Sequence, residues 1–160
     1  MKDYNVAMVY QVPGVGKIEL TTIVLDLNGT LSVNGTIPVG VKKRIDKLKK
    51  LGFSIVLFSG DQRGTADAIC HDLHIQLVRC GTSLEKEIAM DQLPVDQTVA
   101  IGNARIDIGT FKKAKIRIAT LQDEGIHREI FNYIDVIVPS INAALDLLID
   151  PNSFCATMRK

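Results

Sequence analysis

Four short stretches of this chain set residues suited to phosphoryl chemistry at or between apolar runs. Asp26-Leu27-Asn28-Gly29-Thr30 follows Ile23-Val24-Leu25, and Ser59-Gly60-Asp61 follows Ser54 to Phe58. Gly102-Asn103, with Asp107 one turn on, follows Thr98 to Ile101, and Lys86 stands between the second and third of these loops. An aspartate at a strand end can attack phosphorus and become an acyl phosphate, dividing one hard displacement into two. Mg²⁺ would screen carboxylate from phosphate, taking few of its octahedral oxygen ligands from protein. A lysine and a hydroxyl can hold phosphoryl oxygens as charge redistributes. Taken singly, each residue also has a plain reading. An Asp after a strand is usually a turn former, Ser-Gly-Asp is a common loop, and Lys86 between Glu85 and Glu87 reads as solvated.

The elements that must position these residues alternate along the chain. Ile23-Val24-Leu25, Ser54–Phe58, Ile75–Val78, Thr98–Ile101, Ile116-Arg117-Ile118 and Val136-Ile137-Val138 read as strands. Helices are predicted over Pro38–Leu51, closed by Gly52, and over about 63–73, 83–91 and 106–114. Ser140 caps a last helix to Ile149, which Pro151 stops, leaving residues 151–160 as a tail. Short apolar strands separated by helices imply a parallel sheet covered on both faces, wound by right-handed crossovers into a three-layer αβα, Rossmann-like domain over 21–150. In such sheets a site forms beyond the carboxyl ends of the strands. Residues 1–20 read as a hairpin extension: Val6–Val12, a Pro13-Gly14-Val15-Gly16 turn, then Lys17–Leu20. Gly14, Gly16 and Lys17 do not make a phosphate loop, because Gln11 and Ile18 occupy positions that GxxxxGK[ST] reserves.

Composition narrows the function classes. The 160 residues are 46% apolar and 23% charged with a net charge of +1, the balance of a globular domain rather than of a nucleic-acid or anionic-membrane binder. The basic run Lys42, Lys43, Arg44, Lys47, Lys49 and Lys50 carries Val41, Ile45 and Leu48 at helical spacing, so it reads as one solvated helix face. Cys70, Cys80 and Cys155 are odd in number and lack CxxC spacing, which favours a reducing, cytoplasmic setting. Cys70, His71 and His74 include metal-capable groups, but no second ligand pair accompanies them. With no signal-peptide pattern and no apolar run near the roughly 20 residues that span a bilayer, neither secretion nor membrane insertion is expected.

Leu25-Asp26-Leu27-Asn28-Gly29-Thr30-Leu31 resembles the first motif of the haloacid dehalogenase (HAD) superfamily, and more narrowly the DKTGTL loop of P-type ATPases. Phe58 to Ile69 resembles the ATPase TGDN segment with its helix, and Val99 to Asp107 the GDGxND loop. The likeness covers about residues 20 to 150 in order, as in small stand-alone proteins described as soluble P-type ATPases. It implies a Mg²⁺-dependent phosphohydrolase or phosphotransferase working through an aspartyl phosphate. Asp26 would be nucleophile and metal ligand, with the Asn28 carbonyl a second ligand. Thr30, Ser59 and the Gly60 amide would hold phosphate, Lys86 would neutralise it, and Asn103 and Asp107 would complete or support the metal site.

The departures from that pattern carry information too. The position two after the nucleophile, an acid–base Asp in most phosphatases of the superfamily, is Asn28, which cannot give and recover a proton at neutral pH. Slow turnover is therefore expected. Asn103 removes one negative charge from the metal site, and Leu27 replaces the ATPase lysine. From Thr30 to Ser59 is about 29 positions and from Ser59 to Lys86 about 27, one crossover each, with no room for a cap. An open, capless site suits a phosphorylated macromolecule, or a homo-oligomer in which a neighbour covers it. Two alternatives stand beside this reading: a non-catalytic binding or regulatory module on the same fold, and a receiver domain phosphorylated on Asp26. The receiver is disfavoured because only one carboxylate follows the first strand.

Overall fold

The computed structural model describes residues 5–160; the first four residues of the expected hairpin extension lie outside them. Strands β1 (Met8–Val12) and β2 (Gly16–Leu20) pair antiparallel across a turn in which Gly14 has φ 76° and Gly16 φ 112°. The remaining strands are β3 (Thr22–Asp26), β4 (Ser54–Ser59), β5 (Gln76–Arg79), β6 (Thr98–Gly102), β7 (Ile116–Thr120) and β8 (Val136–Val138). They form one parallel sheet in the order β5-β4-β3-β6-β7-β8. The helices are α1 (Val41–Lys50), α2 (Thr65–Leu73), α3 (Ser83–Met90), α4 (Ile108–Phe111), α5 (Ile141–Ile149) and α6 (Pro151–Met158).

The doubly wound α/β architecture expected from the sequence is present. Alternate strand residues face two separate cores, which explains why the strands read as continuous apolar runs. Ile23, Leu25, Leu57, Ile101 and Ile118 pack with α1, α2, α5, Phe154 and the hairpin residues Tyr10 and Ile18. Val24, Val56, Ala100 and Ala119 face the other way, onto Met90, Phe111 and Ile130. Chain order runs from β3 out to β5 on one side and returns to β6 on the other. The sequence of strands therefore reverses at β3, where a crevice opens at the carboxyl ends.

Three boundaries differ from the expectation. Helix α1 starts at Val41 rather than Pro38, because Gly40 sits at φ 92° and makes the entry turn. The helix expected over 106–114 is a 3₁₀ turn, Arg105–Asp107, followed by the four-residue α4. There the Asp107 carboxylate accepts the Asn103 and Ala104 amides and tightens the first turn. Residues 151–158, read as tail, form α6. Pro151 opens this helix rather than only ending the last one, and the Asp150 side chain caps it by accepting the Asn152 amide at 3.0 Å. Phe154 is fully buried, its ring 3.9 Å from that of Tyr10.

Candidate active site

Asp26 ends β3 at the sheet centre, Ser59 ends β4, and Asn103 follows β6. Lys86 reaches them from α3. Its backbone lies in a helix whose first turn is closed by a capping box between Thr82 and Glu85. The close approach of α3 and α4 orients it further: Gly109 donates its amide to Ser83 Oγ at 2.9 Å, and a Cβ at Gly109 would overlap the Ser83 carbonyl oxygen. The Lys86 side chain is 2% exposed, so the solvated reading of this residue is wrong. Its Nζ donates to Asp26 Oδ1 and to Asp107 Oδ1, both at 2.8 Å. Asp107 is in turn fixed by the Asn103 and Ala104 amides, each donating to Oδ2 at 3.0 Å.

One ammonium therefore sits between two carboxylates in a site nearly closed to water. Burial and then the neighbouring Asp107 charge push the Asp26 carboxyl up to about 7, against the pull of Lys86. Burial works to discharge Lys86, but the two carboxylates outweigh it and hold the amine protonated well above its ordinary range. Burial likewise pushes the nearby Cys80 thiol up to about 11, so it is neutral and no nucleophile at ordinary pH.

A cleft of about 430 Å³ opens onto this cluster, lined by Asp26, Asn28, Ser59, Gly60, Lys86 and Glu124 among others. Ser59 Oγ accepts the Asp61 amide at 3.0 Å. Gly60 lies so near Gly81 that a Cβ would come 2.6 Å from the Gly81 Cα, so the loops after β4 and β5 can meet only because of glycine. Five predicted residues, Asp26, Asn28, Ser59, Gly60 and Lys86, thus share the cleft. The other three brace it from behind. Thr30 is fully buried and donates to Asn103 Oδ1 at 3.3 Å, Asn103 Nδ2 donates to the Gly125 carbonyl at 3.0 Å, and Asp107 holds Lys86.

Glu124, on the loop after β7, is the cleft carboxylate that sequence reasoning missed. That loop carries Asp123-Glu124-Gly125, a pair of carboxylates beside a glycine just past a strand's carboxyl end. This is the same kind of signal that singles out the loops after β3, β4 and β6. A larger groove of about 660 Å³ runs along α1, lined by the exposed Lys42, Lys43, Lys47 and Lys50 together with Asp46, and Lys42 pairs with Asp72 at 3.0 Å.

Among the described residues no three His, Cys, Asp or Glu side chains are gathered as a metal cage. Cys70 is buried while His71 and His74 are exposed, their ring centroids 6.3 Å apart. Mg²⁺ makes a smaller demand, one or two carboxylates plus neutral oxygens and water. Lys86 occupies one oxygen of Asp26 and leaves the other available, with Asn28 and Glu124 on the same cleft, so the donor set fits that ion.

No family model matches the chain. Solved structures with the same fold include the 3-deoxy-D-manno-octulosonate 8-phosphate phosphatase of Moraxella catarrhalis in complex with magnesium, phosphate and 3-deoxy-D-manno-octulosonate. It has a TM-score of 0.71 at 14% identity over 88% of this chain and 94% of that one. An apo phosphoserine phosphatase gives 0.66 at 15% identity, over 81% and 98%. A Streptomyces avermitilis protein described as a HAD family hydrolase gives 0.66 at 19%, over 79% and 80%. Among the described residues no helix is long and apolar enough to cross a membrane. In sequence, the uncharacterized protein MJ0073 of Methanocaldococcus jannaschii is 38% identical over 66 residues, 41% of this chain and 71% of that protein. The chain therefore has the haloacid dehalogenase fold and belongs to the same family as MJ0073.

Proposed function

We propose that the protein is a slow, Mg²⁺-dependent phosphohydrolase in which Asp26 is the nucleophile. The observation that carries this reading is the buried Lys86 held between Asp26 and Asp107 at the mouth of the cleft. A buried cation shared by two carboxylates is expensive to maintain for stability alone. At the end of a central parallel strand it is well placed to neutralise an incoming phosphoryl group. The phosphatases with this fold and the P-type ATPase likeness of the loops at Asp26, Ser59 and Asn103 support the same reading.

Asp26 and the Asn28 carbonyl would hold Mg²⁺ with the support of Asn103 and Asp107. The bound ion would neutralise phosphoryl charge and keep the carboxylate ionised. The Asp26 oxygen not held by Lys86 attacks phosphorus, the phosphorus–oxygen ester bond breaks, and the electron pair leaves with the alkoxide. Lys86, the Ser59 hydroxyl and the Gly60 amide hold the phosphoryl oxygens during transfer. No side chain at position 28 can donate a proton, so the alkoxide takes one from water. A second water then cleaves the acyl phosphate and regenerates the Asp26 carboxylate.

Release of phosphate from p-nitrophenyl phosphate with Mg²⁺, compared between wild type and Asp26→Asn, tests the reading. Wild type should turn over and Asp26→Asn should fall to background. Equal rates would exclude Asp26 as nucleophile. If neither protein acts on an aryl or acyl phosphate but both bind phosphate, the fold serves as a binding module instead. The engagement of Asn103 with Thr30 and Gly125, rather than with the cleft, is the observation that favours that second reading.

A further inference from the structure

The cation site proposed above is short of negative charge. Asn28 and Asn103 are neutral, and both oxygens of Asp107 are committed, one to Lys86 and one to two main-chain amides. Asp26 is then the single carboxylate available from the expected set. We infer that Glu124, on the loop after β7, supplies the second carboxylate of a divalent-cation site that it completes with Asp26; this inference rests on the phosphohydrolase reading.

Three independent features of the fold direct Glu124 to that place. First, the loop is tied on both sides of Glu124 to the two loops that carry the other candidate ligands. Thr120 Oγ1 donates to the Gly29 carbonyl at 3.3 Å, Asn103 Nδ2 donates to the Gly125 carbonyl at 3.0 Å, and the His127 amide donates to the Asn103 carbonyl at 3.1 Å. Second, Asp123, immediately before it, is held at φ 48°, and the Glu124 amide closes a tight turn onto the Gln122 carbonyl at 2.7 Å. Aspartate enters this left-handed region more readily than most residues, so the turn directs the chain through Glu124 at little cost. Third, Gly29 has φ 73°, and a Cβ there would collide with the Glu124 carboxylate and the Asn103 amide together. The carboxylate therefore lies against the Asn28–Gly29 backbone, in the same cleft as Asp26.

The Glu124 side chain makes no hydrogen bond or ion pair with any other described residue, although cationic partners engage most of the chain's other carboxylates. Near it, the ammonium of Lys86 is already committed to Asp26 and Asp107. Glu124 is exposed at the rim of the cleft, so its carboxylate oxygens are open to an incoming cation, and a hard oxygen set of this kind selects Mg²⁺ or Mn²⁺ over softer metals.

The test is Mn²⁺ binding to the full chain without substrate, followed by the electron paramagnetic resonance signal of free Mn²⁺, for wild type, Glu124→Gln, Asp26→Asn and the double variant Glu124→Gln/Asn103→Asp. Glu124→Gln should weaken Mn²⁺ by about tenfold or more, the scale on which residues around a metal site act, with the metal-free melting temperature unchanged. Returning the charge from the other side of Gly29 in the double variant should recover part of the loss. Wild-type affinity in Glu124→Gln, with Asp26→Asn impaired, would overturn the role of Glu124 and leave the phosphohydrolase reading standing. Absence of Mn²⁺ binding in wild type would overturn both.

Discussion

At the scale of single residues, the proposed nucleophile Asp26 has no proton donor at position 28. General acid–base help is typically worth about 10²–10⁴-fold, roughly 3–5 kcal/mol of barrier. Asn28→Asp is therefore expected to raise turnover of alkyl phosphates toward that range. It should gain much less on p-nitrophenyl phosphate, whose leaving group needs little protonation. Steady-state rates on both substrates check it, and an equal gain on both would separate the effect from leaving-group protonation. A second expectation concerns stability. The Asp26 carboxyl is pushed up to about 7 in the folded protein from an ordinary value of 3.8. Between those values the folded state holds a proton that the unfolded state has released, so stability falls as pH rises across that window and stays lower above it. Asp26→Asn removes this loss and keeps the Lys86–Asp107 pair. In the metal-free protein at pH 8 it should be more stable than wild type by on the order of 1–3 kcal/mol, and the difference should shrink toward pH 4.5 in thermal melts. The convergence of Asp26, Ser59 and Gly60 was legible in the sequence, because each lies at or just past a strand end, whereas the inward course of Lys86 rested on the family resemblance against a local sequence that reads as solvated. The inward turn of Thr30 onto Asn103 was not legible: both are polar residues in loops, and only packing decides that they meet each other instead of the cleft. Glu124 was overlooked although its loop carries the same strand-end signal, and which of Asp123 and Glu124 faces the cleft is set by the left-handed turn at Asp123, φ 48°.

At the scale of elements, the geometry of Lys86 depends on how closely α3 and α4 pack. Gly109 is the contact point, and its obstacle to a side chain is main-chain carbonyl rather than a movable group. Gly109→Ala should part the two helices and destabilise the protein by about 1–3 kcal/mol, the usual cost of overpacking, measured by urea denaturation. Because α3 carries Lys86 and α4 follows Asp107, phosphatase activity should fall further than stability does at temperatures where the variant is still folded. The strands were legible to within a residue or so, since continuous apolar runs in a two-faced sheet leave little choice of register. Helix ends were less so. Pro151 reads equally as a stop or as a first helical residue, and the outcome turned on Asp150 capping the new helix and on Phe154 finding the ring of Tyr10.

At the scale of the whole molecule, the hairpin and α6 close one core at the face remote from α3. Tyr10 donates to the Leu148 carbonyl at 2.5 Å and stacks on Phe154, so residues far apart in sequence seal the same layer. Phe154→Ala should cost about 3–5 kcal/mol of folding free energy, read from the urea midpoint. It should leave the kcat of the folded fraction near wild type, because the cavity opens on the side of the sheet away from Lys86. Substantial loss of kcat in fully folded protein would show that the two layers are mechanically linked through β3.

The position of β3 sets a limit on how this protein can fail. It has a strand on each side and a core on each face, and its residues Thr22 to Leu25 are all buried. Backbone amides placed in this way exchange with solvent deuterium only when the whole domain opens, whereas a surface loop such as the one carrying Glu124 exchanges through local fluctuations. The amides of β3 should accordingly be among the slowest in the chain, at rates that track global unfolding when denaturant is added. Asp26 is the last residue of that strand, so the proposed nucleophile should exchange with the slow core, whereas the exposed residues 121 and 123–125 should exchange sooner. Partial opening should thus alter metal occupancy long before it disturbs the attacking group.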